Sequence, residues 1–172
     1  MRKIIEIKAA CLQPNHAEQI LLDQGAFLHG VDHQIDTYLT VPTGRLKIRE
    51  GNVENNLIYY NRTEEEGELK ESHVDLIPID ASNKNFVGLL KKVLPQKVVV
   101  DKIRKIFFID NVKFHIDTVQ QLGNFLEIEA ISETGHTPKA ELTAQCAYYM
   151  KLLGINKEDI INKSYSDLIL AL

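Results

Sequence analysis

Cysteine is scarce in this 172-residue chain, and long apolar runs are missing. The two cysteines, Cys11 and Cys146, lie far apart and without metal-ligand spacing, which excludes a disulfide framework and a zinc site and fits a reducing cytoplasm. No stretch approaches the roughly 18 apolar residues of a membrane span. Glu6 and Lys8 also interrupt the first apolar run, which the core of a signal peptide would not tolerate.

A surplus of positive charge is also lacking. The chain has 20 lysines and arginines against 24 aspartates and glutamates, a formal net charge of −4. This balance argues against nonspecific binding to nucleic acid or to acidic membranes, which depends on basic surface. A polyanion would therefore have to be met by a local group of bases. The length fits a single domain spanning residues 1–172.

The common phosphate-binding and hydrolytic motifs are missing too. The sequence contains no Walker loop, no dinucleotide-binding glycine motif and no Ser-His-Asp arrangement. Recognition of a phosphate would therefore have to come from side chains in a tunnel rather than from a glycine-rich loop.

Segments with alternating or β-branched character predict a mostly antiparallel β protein. Four helical stretches interrupt the strands. The acidic run at residues 64–68 is typical of a solvated hairpin loop. The predicted strands are residues 3–11, 27–41, 45–50, 55–63, 71–79, 97–110, 112–119 and 125–132, and the predicted helices are 14–24, 83–94, 138–153 and 166–172.

The predicted strands carry their charges on one face. Side chains alternate across a strand, so residues of equal parity share a side. Glu6 and Lys8 oppose Ile5 and Ile7 in the first strand. The same holds for the other charged groups: Arg45, Lys47 and Arg49; Tyr60 and Arg62; Lys102 and Arg104; His115 and Asp117; Glu127 and Glu129.

These charges are segregated by strand, with bases on the third, fourth and sixth strands and acids on the seventh and eighth. Blocks of like charge would repel unless something bound between them. If the sheet closes into a barrel with this face inward, the bases can clamp phosphate oxygens and the acids can hold metal ions. Hard oxygen ligands suit Mg²⁺ or Mn²⁺ better than zinc.

The sequence is compatible with three roles for His115. It could be a polar group of the barrel interior, a proton carrier, or a strand residue exposed at one end.

Several motifs resemble the CYTH family, the class IV adenylyl cyclases and thiamine triphosphatases, also called triphosphate tunnel metalloenzymes. They occur in the family's order and cover nearly the whole chain. They are Glu6-Ile7-Lys8, His33-Gln34-Ile35-Asp36-Thr37-Tyr38, Gly44-Arg45-Leu46-Lys47-Ile48-Arg49-Glu50, Tyr59-Tyr60-Asn61-Arg62, Lys102-Ile103-Arg104, His115-Ile116-Asp117-Thr118-Val119 and Leu122-Gly123-Asn124-Phe125-Leu126-Glu127-Ile128-Glu129. Ser164-Tyr165-Ser166-Asp167-Leu168 is similar to the closing segment of the class IV cyclases.

The resemblance implies an α+β fold: a closed antiparallel barrel of about eight strands around a triphosphate tunnel, with helices packed outside. It implies divalent metal, Mg²⁺ or Mn²⁺, held by Glu6, Glu127 and Glu129, with Asp117 as a further acidic member. The implied phosphate-binding residues are Lys8, Arg45, Lys47, Arg49, Arg62, Lys102 and Arg104. Lys8, Arg49 and Asp117 are the candidate catalytic residues. A homodimer through an outer barrel face or the carboxyl-terminal helices is a further expectation from the family.

One position departs from the family signature, Glu-x-Glu-x-Lys. Ile4 stands where the first glutamate belongs. The missing carboxylate removes a metal ligand or a water-orienting base, so the number of metals and the catalytic competence are open.

Three functions therefore compete. The first is a metal-dependent enzyme acting on a nucleoside, organic or inorganic triphosphate, either a cyclase that converts ATP to cyclic AMP and pyrophosphate or a hydrolase of tripolyphosphate or thiamine triphosphate. The second is a binding module that has lost catalysis through Ile4. A purely structural role is the least expected, because buried clusters of like charge are costly unless a ligand compensates them.

Overall fold

The computed structural model describes residues 2–62 and 69–172, and it contains a closed barrel of eight antiparallel strands. Around the barrel the strands follow the order β1-β5-β4-β3-β2-β6-β7-β8, and β1 closes it by pairing with both β5 and β8. This confirms the predicted fold class. The strands are β1 (Arg2–Ala10), β2 (Phe27–Leu39), β3 (Arg45–Glu50), β4 (Asn56–Arg62), β5 (Lys70–Pro78), β6 (Gln96–Ile109), β7 (Val112–Val119) and β8 (Gly123–Ser132).

The main apolar core lies outside the barrel, between the strands and two helices. Ile5 and Ile7 of β1 point outward and are buried with Leu21 of α1 (Pro14–Asp23) and Leu142 of α3 (Lys139–Leu152). The outward faces of β7 and β8 complete this cluster. Because alternate residues point to opposite sides, burying the apolar face against helices turns the charged face into the barrel.

Two further helices cover other parts of the barrel. Val87 of α2 (Lys84–Val93) packs on Leu39, Ile48 and Leu57. The short α4 (Tyr165–Ile169) follows a 3₁₀ turn (Lys157–Asp159). No helix in residues 2–62 and 69–172 is long and apolar enough to cross a membrane.

The predicted boundaries agree with the structure to within about two residues, except at the carboxyl terminus. There the helix predicted at 166–172 is Tyr165–Ile169. Its start is set by Ser164, whose side chain accepts a hydrogen bond from the amide of Asp167 and caps the first turn. The acidic run predicted as a loop, 64–68, lies outside the described residues.

Candidate active site

Most of the charged side chains predicted to share one face line a common cavity inside the barrel. Each comes from the inward-pointing positions of its strand. The predicted site residues that line the cavity are Glu6, Lys8, Lys47, Arg49, Lys102, Arg104, Glu127 and Glu129. Arg62 belongs to β4, and its side chain lies outside the described part of the chain.

Three bases converge on one buried carboxylate, Asp36 of β2. Arg49 donates two hydrogen bonds to it, from Nε to Oδ1 at 2.8 Å and from Nη2 to Oδ2 at 3.0 Å. The ammonium groups of Lys102 and Lys47 lie 2.7 Å and 3.1 Å from Oδ2. Burial by itself would raise the pKa of Asp36, but the three positive charges outweigh it and hold this pKa well below its ordinary value.

Lys102 is the most enclosed of these bases, with 2% of its surface exposed. Burial lowers the pKa of Lys102 to about 7, and the nearby charges of Arg49, Arg104 and Lys47 act in the same direction. Asp36 opposes this shift. The proton on Lys102 therefore depends on the carboxylate beside it.

A second group forms around Arg104 of β6. Its guanidinium donates to both oxygens of Asp117, at 2.7 Å and 2.5 Å, and to Oε2 of Glu127 at 2.6 Å. Lys8 lies 3.0 Å from Oε1 of Glu127. Burial raises the pKa of the Glu127 carboxyl, yet Lys8 and Arg104 outweigh it and the pKa falls well below the ordinary value. Both carboxylates are thus ionised partners of phosphate-binding candidates.

A further acid, Glu54, reaches the cavity from the turn after β3. It accepts from Arg49 at 2.8 Å and from Lys113 of β7 at 2.5 Å. Asp32 fixes this turn because its carboxylate accepts hydrogen bonds from the backbone amides of residues 52, 53 and 54. A β-carbon at Gly51 would lie 2.5 Å from Asp32, so the turn requires glycine there.

Two predicted residues occupy positions away from the middle of the cavity. Asp117 is 0% exposed, and its oxygens accept from Arg104 and, at 2.8 Å, from the hydroxyl of Tyr165. Arg45 binds the carboxyl-terminal segment, with contacts of 2.7 Å to Ser164 and 2.9 Å to Asp167. The structure therefore places Asp117 beside Arg104 as its counterion. It places Arg45 at the end of the tunnel, where α4 packs.

His115, Glu127 and Glu129 form the group that could hold a metal ion, each offering one ligand atom within 4.8 Å of the others. Nδ1 of His115 lies 3.1 Å from Glu127 and 3.7 Å from Glu129. Burial lowers the pKa of His115, and Arg104 adds to the effect, which favours the neutral ring. Two carboxylates and a neutral imidazole are a donor set that a divalent cation accepts. Glu6, the third predicted ligand, lies beside Glu129 in the β1/β8 ladder.

One side of the cavity is apolar, in contrast to the charged strands opposite. Ile4, at the position of the missing signature glutamate, points into the cavity and is 7% exposed. Ile58 of β4 and Val74 and Leu76 of β5 continue this surface. The hydroxyl of Ser72, opposite Ile4 in the ladder, is buried without a hydrogen-bond partner in the described part of the chain. The cavity thus has a charged side and an apolar side.

Four cavity or end-wall residues were missed as site candidates: Asp36, Glu54, Lys113 and Tyr165. Asp36 was part of a family motif, and Lys113 shares parity with His115 and Asp117, so both carried a usable signal. Glu54 lies in a turn and Tyr165 in a short helix, where strand alternation gives no information.

A barrel of this topology with clustered bases and acids inside defines a class of tunnel proteins, and the comparison with known families agrees. The CYTH domain model matches residues 2–165. The chain belongs to the CYTH domain family. Members of this family are adenylate cyclase-like enzymes or triphosphatases that act on triphosphates and use divalent metals.

Individual relatives are distant. A protein of Methanocaldococcus jannaschii, named as a candidate adenylate cyclase, is 37% identical over 70 residues, which cover 40% of this chain and 39% of that protein. The PH1012 protein of Pyrococcus horikoshii has a similar structure, with a TM-score of 0.82 and 24% identity over 96% of this chain and 98% of its own. The HpAC1 protein of Hippeastrum gives a TM-score of 0.66 at 14% identity, covering 99% of this chain and 96% of its own. The two solved structures share the fold.

Proposed function

We propose that this protein is a divalent-metal-dependent enzyme that acts on an organic triphosphate inside the barrel, in the manner of a class IV adenylyl cyclase. The observation that carries the proposal is the juxtaposition of buried bases and a metal-capable acidic group in one cavity. Lys102 and Arg104 are 2% and 3% exposed, yet both line the cavity that Glu127 and Glu129 also line. The carboxylates around these bases compensate their charge, but burying the ion pairs still costs desolvation free energy, which a role in ligand binding would explain.

The bases would bind the phosphate oxygens. Lys47, Arg49 and Lys102 form one group around Asp36, and Lys8 and Arg104 form another around Glu127. Each group is already convergent, so little side-chain ordering remains to be done when a polyanion enters. Arg62, with its side chain outside the described residues, and Arg45 at the tunnel end remain predicted contributors.

Glu6, Glu127 and Glu129 would hold Mg²⁺ or Mn²⁺. When bound, the ion would neutralise charge on the nonbridging oxygens of the phosphate under attack. Lys8 and Arg49 would stabilise the same charge from the protein side. Asp117 would act indirectly, because both its oxygens are engaged in orienting Arg104.

The apolar side of the cavity favours an organic over an inorganic substrate. Ile4, Ile58, Val74 and Leu76 offer dispersion contacts that a bare tripolyphosphate would not use. A nucleoside or another aromatic group linked to the triphosphate would cover them. ATP cyclisation with release of pyrophosphate is the first candidate reaction, and its nucleophile is the ribose 3′-hydroxyl.

Hydrolysis is the second candidate reaction. The same apolar surface is compatible with it, because the surface offers little recognition of a base. Of Ile4, Ile58, Ser72, Val74 and Leu76, Ser72 is the one residue with a side-chain hydrogen-bonding group, so these five would hold a base without much discrimination. A water nucleophile needs no base recognition. The Hippeastrum structure is described as revealing a dominant triphosphatase activity in a protein classed as an adenylyl cyclase.

An end-point assay separates these reactions. The purified protein is incubated with Mg²⁺ or Mn²⁺ and with ATP, thiamine triphosphate or inorganic tripolyphosphate, and the products are resolved by chromatography. Cyclic AMP with pyrophosphate establishes the cyclase, whereas orthophosphate establishes the hydrolase. Thermal stabilisation by tripolyphosphate without any product would instead favour a binding module. If no triphosphate binds or reacts, the proposal fails.

A further inference from the structure

His115 is a buried cavity residue that has no role in the phosphate chemistry proposed for the other side chains. It is 1% exposed, and it comes from the centre of β7, directly opposite Glu127 in the β7/β8 ladder. Its Nε2 atom is buried and has no hydrogen-bond partner among the described residues. A buried polar atom left unsatisfied costs free energy, so its retention needs an explanation.

We propose that His115 is a nitrogen ligand of the divalent metal and that it makes the site favour Mn²⁺ over Mg²⁺. The inference rests on the proposed function for the presence of a metal in the cavity. It adds which atom of the chain binds the ion and which ion is preferred.

The spacing of the donor atoms supports this role. Two ligand atoms that are each about 2.1 Å from one ion lie about 3.0 Å apart at a right angle and about 3.4 Å apart in a tetrahedron. Nδ1 of His115 lies 3.1 Å from Oε2 of Glu127 and 3.7 Å from Oε1 of Glu129. The two distances from Nδ1 are therefore within a few tenths of an ångström of those expected for a shared cation, and the ligand atoms of the three residues all lie within 4.8 Å of one another.

The unpartnered Nε2 atom makes the required tautomer accessible. In a neutral imidazole one nitrogen carries the proton and the other offers a lone pair. No acceptor or donor in the described chain fixes the state of Nε2. Moving the proton from Nδ1 to Nε2 therefore breaks one hydrogen bond, the one between Nδ1 and Glu127. A metal ion bound to both Nδ1 and Glu127 would replace it.

Ile4 explains why a nitrogen donor would matter here. This aliphatic side chain lines the cavity where the family signature has a carboxylate, so the site has one hard oxygen donor fewer. Mg²⁺ requires near-octahedral oxygen coordination and gives up its water ligands reluctantly. Mn²⁺ also prefers oxygen donors, but it is a first-row transition ion that sites with nitrogen donors bind, so replacing one oxygen donor by an imidazole costs Mn²⁺ less affinity than it costs Mg²⁺. Loss of the carboxylate at position 4 and use of His115 as a ligand both favour binding of Mn²⁺ over Mg²⁺.

The ordinary alternative is that His115 only donates a hydrogen bond to Glu127. Lys8 and Arg104 already neutralise Glu127, and under this reading the metal would touch carboxylates alone. The two readings differ in one observable, direct contact between the ion and a ¹⁴N nucleus of the protein.

Electron spin-echo envelope modulation of bound Mn²⁺ tests this contact. Frozen samples hold excess protein, Mn²⁺ and inorganic tripolyphosphate, which contains no nitrogen, and a parallel set omits the tripolyphosphate. We expect ¹⁴N modulation from a directly bound imidazole in at least one set. His115→Ala should abolish the modulation, lower the Mn²⁺ affinity at least about tenfold and change the Mg²⁺ affinity less than about twofold. His33→Ala is the matched control, because His33 also contacts a carboxylate, Asp101, but on the outer barrel face.

Wild-type protein that binds Mn²⁺ without ¹⁴N modulation overturns the inference and needs no variant. A wild-type chain that binds no Mn²⁺ in either set also overturns it, and so does His115→Ala with the wild-type ratio of Mn²⁺ to Mg²⁺ affinities. Failure of the proposed function has a separate signature. In that case the modulation is present and depends on His115, but no triphosphate is turned over.

Discussion

Replacing Asp36 with alanine tests whether this carboxylate holds the basic group, Lys47, Arg49 and Lys102, together. The substitution removes a carboxylate that is 2% exposed and accepts four hydrogen bonds from Lys47, Arg49 and Lys102. Removing one partner of a buried ion pair typically costs about 3–5 kcal/mol, because the other charge stays buried and unpaired.

The three bases differ in how much of their charge compensation they lose when Asp36 is removed. Arg49 keeps its contact with Glu54 at 2.8 Å, and the side chain of Lys47 is 13% exposed and can be partly hydrated. Lys102 is enclosed and has Asp36 as its close carboxylate partner, but removing Asp36 takes away the charge that holds the pKa of Lys102 up to about 7, so the lysine can release its proton. We therefore expect a loss of about 3 kcal/mol in the free energy of unfolding, at the lower end of that range.

Urea denaturation at pH 7.5 measures this loss. The matched control is Asp101→Ala on the outer side of the same β2/β6 ladder, where the aspartate side chain is 37% exposed and pairs with His33. That change should cost less than about 1 kcal/mol. If Asp36→Ala also costs less than about 1 kcal/mol, the carboxylate does not hold the basic group together.

The same variant tests where phosphate binds. Tripolyphosphate supplies the negative charge that Asp36→Ala removes, so it should raise the melting temperature of the variant more than that of the wild type. An equal or smaller rise in the variant would show that the anion binds elsewhere.

Three further results are expected. Ile4→Glu should raise turnover strongly and shift the metal preference toward Mg²⁺, since it adds an oxygen donor beside Glu6; product assays with each metal check this. Arg49→Ala should weaken triphosphate binding by more than about 1.5 kcal/mol in calorimetry, because a charge-assisted contact is lost. Stability should fall as the pH decreases from about 5 through about 4, because the lowered pKa values of Asp36 and Glu54 favour the folded state only while the carboxyls are ionised.

Each of these results has a control and a contrary outcome. Ile4→Gln separates charge from size, and equal activity of the glutamate and glutamine variants would contradict a metal-ligand role at position 4. Lys105→Ala removes a base that pairs with Glu18 on the outside of the barrel, so it should leave affinity unchanged. Affinity unaltered by Arg49→Ala would remove Arg49 from the phosphate site. A urea midpoint independent of pH between 5 and 2.5 would contradict the acid dependence.

Strand alternation in the sequence was sufficient to predict the antiparallel strands and the face on which much of the cavity lining lies. Ile5 and Ile7 had to face a core, so Glu6 and Lys8 had to face the other way, and the same parity applied to Lys102, Arg104 and the later strands. Resemblance to the family, through motifs in the expected order, supplied the closed barrel. These features depend on spacing along the chain, which a sequence displays directly.

The pairing of the charges was decided by the tertiary structure alone. From the sequence, bases and acids appeared segregated by strand, with repulsion left for a ligand to relieve. In the folded chain Asp36 of β2 lies among bases from β3 and β6, Glu54 reaches in from a turn, and Tyr165 supports Asp117 from a short helix. These contacts depend on which strands become neighbours, as β2 does with β3 and β6, and on which side chains meet across the barrel, as Glu54 and Lys113 do. Alternation within a strand determines which face a side chain occupies, but barrel closure determines which charges it meets.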